Sequence, residues 1–227
     1  MTEQPSQSRS VEDFLKAVFS LQQQTDRVST NTLRDALSIT APSVTDMAQR
    51  LVAAGLVDYQ KYRGVVLTDA GREIALRVIR RHRLIELYLV RELGYELRDV
   101  HEEAERLEHA VSDHFVEAIA RKLGQPLIDP HGDPIPSAEG IIEQRDLCPL
   151  TALEPGVPTT IAQLKTSDAE MLQHMLDRGF RLNARVEVVE RDPFRGPITA
   201  LVDGKRRVVG YQVAENILVA CQPDADS

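Results

Sequence analysis

Between Val78 and His114 the chain sets carboxylates and imidazoles at helical spacing, and no other stretch constrains its fold as much. Glu105, Glu108 and His109 stand at i, i+3 and i+4, so an α-helix projects all three from one face, where they can close on a single cation. His101 lies one turn before Glu105 on that face, and His82 and Glu86 repeat the i, i+4 arrangement on the preceding helix. Two helices therefore each offer ligands. A lone Glu-x-x-x-Glu is usually a solvated acidic face. Here, however, five of the six histidines fall between His82 and His131, which solvation does not explain, and the stretch reads as a metal site.

Composition narrows the class. At 227 residues the chain is long enough for one large core or several small ones. It shows neither a run of eighteen apolar residues nor a basic start followed by an apolar core and cleavage site, so a cytoplasmic protein without a membrane span is expected. Cys148 and Cys221 stand in dissimilar contexts with no partner at metal-site spacing, which argues against a disulfide framework and a thiolate zinc site. A net charge of −8 disfavours sequence-blind nucleic-acid binding by the whole surface and leaves room for a local basic face.

Read in order, Ser10 caps a first helix from Val11 to about Gln24, with Phe14, Leu15, Val18 and Phe19 on its apolar stripe and Asp13 in its first turn. Ser29 or Thr30 caps a short second helix to Leu37, and Pro42 marks the first turn of a third that Gly55 stops. Residues 56–60 and 65–68 alternate as two strands around the basic, aromatic tip Lys61-Tyr62-Arg63-Gly64. This order is the winged helix-turn-helix plan, whose third helix enters the DNA major groove. Thr40, Pro42, Ser43, Thr45 and Asp46 are then candidates for base edges, and Ser10, Arg27, Arg50, Lys61 and Arg63 for phosphates.

A long helix from Ala70 to Leu93 follows, apolar on more than one face through Ile74, Val78, Ile79, Leu84, Ile85, Leu87, Tyr88 and Leu89. One face suits the winged domain and the other suggests a dimer interface. Helices from Arg98 or Asp99 through His109 and from Asp113 to Leu123 come next, the latter capped by Ser112 with Phe115, Ile119 and Leu123 inward. In the proline-studded connector, Asp129-Pro130-His131-Gly132 places a carboxylate and an imidazole two residues apart. After a proline-rich linker, Ser167 caps one helix among short strands, with Asp203-Gly204 as a hairpin turn, which suggests a small SH3-like barrel. The expected fold is mainly α with a C-terminal β barrel: a winged helix-turn-helix at 1–72, a helical metal-binding and dimerisation domain at 73–140, a linker at 141–156 and the SH3-like domain at 157–222.

The sequence resembles the diphtheria-toxin-repressor family of metal-dependent transcriptional regulators. The winged module, RRHRLIELYL, VHEEAERLEH, the PHGDPIP connector and a C-terminal domain similar to the ferrous-transport A type carry the likeness over nearly the whole chain. It implies a homodimer that binds palindromic double-stranded operator DNA when loaded with a divalent metal and represses metal-uptake genes. It also implies a metal site near the DNA-binding domain made by Asp13, Glu105, Glu108 and His109. A neighbouring site would use His82, Glu86 and His101, with Asp129, His131 and Asp168 contributed by the connector and the extra domain. Iron-type relatives have methionine at the position of Asp13 and cysteine at that of Glu105. Carboxylates there favour Mn²⁺ over Fe²⁺, which remains the alternative metal. Short manganese regulators have a glutamate where this chain has Lys16, and a cation there repels a second close ion. No small-molecule substrate is implied, and the rival reading, a metal-dependent hydrolase, lacks any nucleophile elbow or phosphate loop in the sequence.

Overall fold

The computed structural model describes residues 8–166 and 168–221. Ser167, expected as a helix cap, lies outside the described residues. Two compact units are present. The first comprises the described residues up to His82 with Glu108–Val111 and Pro136–Ile141; the second comprises Arg83–Leu107, Ser112–Ile135 and the described residues from Ile142 onward.

The first unit opens with α1 (Arg9–Leu21), which buries Val11, Phe14, Leu15, Val18 and Phe19. Its N-cap is Ser8, so Ser10 sits inside the first turn, because the Ser8 carbonyl already accepts from the Val11 and Glu12 amides. In α2 (Thr30–Leu37) the Ser29 hydroxyl accepts from the Thr32 amide, and Ser38 in the left-handed region ends the helix. In α3 (Ala41–Ala53) the Thr40 hydroxyl caps the Ser43 amide and Pro42 stands in the first turn. Strands β1 (Val57–Gln60) and β2 (Gly64–Leu67) form an antiparallel hairpin, Val57 opposite Leu67, and Val28 bridges to Val65. A Cβ on Gly64 would lie 2.3 Å from the Val28 carbonyl oxygen, so only glycine allows that approach.

Helix α4 (Asp69–Leu93) buries Val78, Ile79, Leu84, Ile85, Leu87 and Leu89, while Ile74 and Tyr88 on its apolar pattern are half-buried. Helix α5 (Val100–Leu107) is shorter than expected: Glu108 and His109 lie in the turn that follows it, off the helical face. In α6 (Asp113–Lys122), capped by Ser112, Val116, Ile119 and Ala120 are buried. Phe115, placed inward from the sequence, is 47% exposed because the buried stripe runs one position later.

The C-terminal part of the second unit is a six-stranded antiparallel sheet of β3 (Leu147–Pro149), β4 (Pro158–Leu164), β5 (Arg185–Arg191), β6 (Ile198–Val202), β7 (Lys205–Val209) and β8 (Ile217–Ala220), with α7 (Ala169–Asp177) and a short α8 (Tyr211–Ala214). The order is β3-β8-β4-β5-β6-β7, and the two edges are not paired among the described residues, so the sheet is open where a closed barrel was expected. Leu150, Ile161, Met175, Phe180, Val188, Ile198 and Ile217 fill its core. Asp203 and Gly204 have positive φ, as a two-residue hairpin turn demands. The stretch 141–156, read as linker from its prolines, contains β3, which pairs Leu147 with Ala220. Three residues are too short to show a strand period, so this pairing is a tertiary decision. Among the described residues no helix is long and apolar enough to cross a membrane.

Candidate metal centre

In the first unit, α1 and the turn after α5 bring ligand atoms of Asp13, Glu108 and His109 within 4.8 Å of one another. His109 Nε2 lies 2.8 Å from Asp13 Oδ1 and 3.3 Å from Glu108 Oε1. That nitrogen is buried and makes no hydrogen bond. The ring is held from its other side, where Nδ1 meets Glu12 Oε2 at 2.6 Å and Arg81 in turn holds the second Glu12 oxygen at 3.3 Å. With Nδ1–H donated to Glu12, the Nε2 lone pair is left facing two carboxylate oxygens, the usual way a carboxylate fixes a metal-binding histidine. These hard O and N donors fit a divalent cation.

Glu108 is fully buried and already compensated. Lys16 Nζ lies 2.8 and 3.1 Å from its two oxygens and 3.3 Å from His82 Nδ1, while that same imidazole nitrogen meets Glu108 Oε2. Lys16 therefore places a positive charge between Glu108 and His82.

Glu12 is the residue that sequence reasoning missed. It is only 9% exposed, and the signal was a carboxylate among Val11, Leu15 and Phe19 on the buried stripe of α1. We expect Glu12→Gln, which still accepts from the ring but without full charge, to weaken Mn²⁺ binding about 10–100-fold, measured by calorimetry.

The second unit gathers a separate set. Glu86, 2% exposed, lies 3.1 Å from His101 Nδ1 and 3.7 Å from His131 Nε2, and His131 Nδ1 is buried without a hydrogen bond. Asp129 is buried beside it, its Oδ1 accepting the His131 and Asp133 amides at 2.8 and 2.9 Å, with Arg83 3.7 Å from its other oxygen. The connector is pinned to β4: the Leu164 amide donates to the His131 carbonyl, and Arg145 donates to the Gly132 and Ala162 carbonyls. Gly132 has φ of 89°, and a Cβ there would meet the Ala162 oxygen at 2.3 Å.

Burial, then the charges of Asp133 and Glu86, push the Asp129 carboxyl up to about 7 against the pull of Arg83 and His131. Burial pulls the His131 imidazole down, but the hydrogen bond and charge of Glu86, with Asp129 and Asp133, leave it raised overall. Both shifts mean that the folded chain holds more protons than the unfolded one. Metal-free stability therefore falls as pH rises from about 4 through 7, by at most about 4 kcal/mol for Asp129. Asp129→Asn keeps an oxygen for the two amides and removes the charge. Its urea midpoint in chelator should match wild type near pH 4, at the start of the window, and exceed it at pH 8.

The remaining expectations divide. Glu105 belongs to the second unit, where its carboxylate lies 3.9 Å from His101 Nε2. His82 lies beside Lys16 and Glu108, and Glu86 lies beside His101. Asp168 does not join Glu86, His101 and His131. Its Oδ1 caps α7 by accepting the Glu170 and Met171 amides, a local bond that outcompetes a distant ligand role.

On α3, Pro42, Ser43, Asp46 and Arg50 are exposed while Val44, Ala48 and Leu51 are buried, so the face expected at DNA is outward. Thr40 shares its hydroxyl with Ser43, and Thr45, half-buried, donates to the Ala41 carbonyl. Ser10, Lys61 and Arg63 are exposed, and Lys61 lies 5.1 Å over the Tyr62 ring at the hairpin tip. Arg27 is the exception: its guanidinium clamps the hairpin through Asp58 and the Gly64 carbonyl, which uses the charge expected at a phosphate.

Residues 7–65 match the iron dependent repressor N-terminal DNA binding domain, residues 68–137 the iron dependent repressor metal binding and dimerisation domain, and residues 148–221 the FeoA domain. A solved manganese-dependent transcriptional repressor in complex with manganese is 39% identical, with a TM-score of 0.87 over 93% of this chain and 100% of that one. The chain belongs to the diphtheria-toxin-repressor family. The iron-dependent repressor IdeR of Mycobacterium tuberculosis is 29% identical over 87% of this chain and 90% of its own length. The transcriptional regulator MntR of Geobacillus kaustophilus is 34% identical over 48% of this chain and 77% of its own. As a diphtheria-toxin-repressor family member, the chain is a metal-dependent transcriptional regulator, and Asp13, Glu108 and His109 are drawn from both of the matched repressor segments.

Proposed function

We propose that this regulator is a manganese-responsive repressor that binds a palindromic operator as a metal-loaded homodimer in the cytoplasm and controls metal-uptake genes. The observation that carries this reading is the buried, unbonded Nε2 of His109 facing Asp13 and Glu108, with no sulfur ligand in the set. Asp13, Glu108 and His109 form the first site. Glu86, His101, Asp129 and His131 form the second, to which the family resemblance also assigns His82. The winged module at 1–72 reads DNA through Thr40, Pro42, Ser43, Thr45 and Asp46, with Ser10, Arg50, Lys61 and Arg63 on phosphates. The helical segment at 73–140 supplies the dimer.

Asp13 belongs to the DNA-binding module, whereas Glu108 and His109 lie almost a hundred residues on. A bound divalent ion supplies the positive charge that lets the two carboxylates stay close. In its absence Asp13 and Glu108 repel, and α1 is held to the Glu108–His109 turn less tightly. Operator affinity then depends on metal through the difference in metal affinity between the DNA-competent arrangement and the rest, a coupling of about 1–3 kcal/mol. The test uses chelator-stripped protein and a duplex selected from a random library with Mn²⁺-loaded chain. Mn²⁺ should tighten binding about 5–150-fold and act at lower concentration than Fe²⁺ or Zn²⁺. Equal affinity with and without Mn²⁺ would sink the reading.

A further inference from the structure

The two cysteines, which the sequence places 73 positions apart, come together in the sheet. Cys148 on β3 stands directly opposite Val219 on β8, and the ladder continues one step as the Cys221 amide donates to the Asp146 carbonyl at 3.2 Å. Asp146 and Cys148 thus share a face with Val219 and Cys221, and the two cysteines are diagonal neighbours on that face. Both are free and half-buried, so a small solute can reach them. β3 is the edge strand of the sheet and only three residues long, so it is the strand best able to shift.

We propose that Cys148 and Cys221 form a reversible redox site in the FeoA-matched domain, oxidised by hydroperoxides to an intrachain disulfide. Cys148 acts first. Its sulfur, having lost its proton to solvent, attacks a peroxide oxygen, the O–O bond breaks, and a sulfenic acid forms as one hydroxide leaves and is protonated to water. The Cys221 thiol then gives up its proton, its sulfur attacks the Cys148 sulfur, the S–O bond breaks, and a second water leaves. Two thiols and one hydrogen peroxide thus become one disulfide and two waters.

The order follows from the surroundings. The Cys221 thiol is pushed up to about 12, first by hydrogen bonding with Cys148, then by burial and by the negative charge of Cys148 and Asp146. Cys221 therefore keeps its proton and serves as the resolving thiol. Diagonal neighbours start about 7–8 Å apart, at the limit that a disulfide bridges, so closing the bond draws β3 toward the end of β8. Such a bond is strained and readily reduced, which makes the site a switch rather than a permanent staple.

The experiment treats the full, metal-free chain with hydrogen peroxide and follows thiol count, non-reducing electrophoresis and peptide mapping. Both thiols should disappear together, one cross-linked peptide pair joining Cys148 to Cys221 should form, the chain should stay uncrosslinked to any other, and dithiothreitol should restore both thiols. In Cys221→Ser, Cys148 should trap as a sulfenic acid, and in Cys148→Ser no cross-linked peptide pair should form. Persistent thiols, separate oxidation of each cysteine without a cross-link, or links only between chains overturn the proposal. So does cross-linking equally fast in urea, which would show that the fold contributes nothing to it.

Discussion

Glu108→Gln abolishes Mn²⁺-dependent operator binding and leaves the chain folded. Glu108 is the one ligand carboxylate with no exposure, and it is surrounded by Lys16, His82 and His109. The carboxamide is nearly the same size and still accepts the Lys16 ammonium. It offers no charge to a cation, so Mn²⁺ affinity at this centre should fall by at least about 100-fold, more than loss of an orienting partner costs. Operator affinity in Mn²⁺ then drops to its metal-free value. Alanine is the wrong variant, because it leaves the Lys16 ammonium buried without its carboxylate at a cost of about 3–5 kcal/mol and confuses unfolding with metal loss. Calorimetric Mn²⁺ titration beside a thermal melt separates the two. Unchanged Mn²⁺ affinity in a folded Glu108→Gln protein would remove the centre from the mechanism.

Lys16→Glu raises the number of Mn²⁺ ions per chain by one. In the wild type the ammonium sits against both oxygens of Glu108 and against His82 Nδ1, the position a second cation beside that carboxylate would take. Two unit charges 4 Å apart repel by about 4 kcal/mol at an effective dielectric of 20, and a divalent ion roughly doubles this. Reversing the sign turns a repelling group into a further oxygen ligand source beside the Glu108 carboxylate and the His82 nitrogen. Equilibrium dialysis against Mn²⁺, run also on Lys16→Glu carrying Glu86→Gln so that the Glu86 cluster does not contribute, reads the added ion. An unchanged count in both backgrounds shows that Lys16 is only a structural partner of Glu108.

The element order of the winged module was legible because each of its boundaries is a local chemical event. Ser29 and Thr40 cap, Pro42 occupies a first turn, and the basic tip at 61–63 separates two alternating strands. Asp13, Glu108 and His109 were legible as candidate ligands of one site from residue type and family resemblance. Spacing alone did not show that Glu108 and His109 lie in a turn beyond α5. Glu12 was overlooked because a charged residue on a helix is ordinarily solvated, and only a partner 97 positions away reveals that it holds a histidine ring. Asp168 and Arg27 have local partners that residue type did not reveal. Each has the right chemistry for a ligand or a phosphate contact, but a nearby amide or carboxylate uses it first.

The sequence by itself determined the element order of the winged module, the hardness of the candidate metal ligands and the kind of regulator, since these depend on residue type, spacing and caps within a few positions. Tertiary structure alone decided which carboxylate orients which imidazole, that Lys16 neutralises Glu108, that the connector is pinned to β4, and that Cys148 faces Cys221. Those outcomes rest on contacts between residues 13 to 97 positions apart. Local propensity carries no information about such pairs, because their energies arise only when packing removes water from between groups that the chain brings together from a distance.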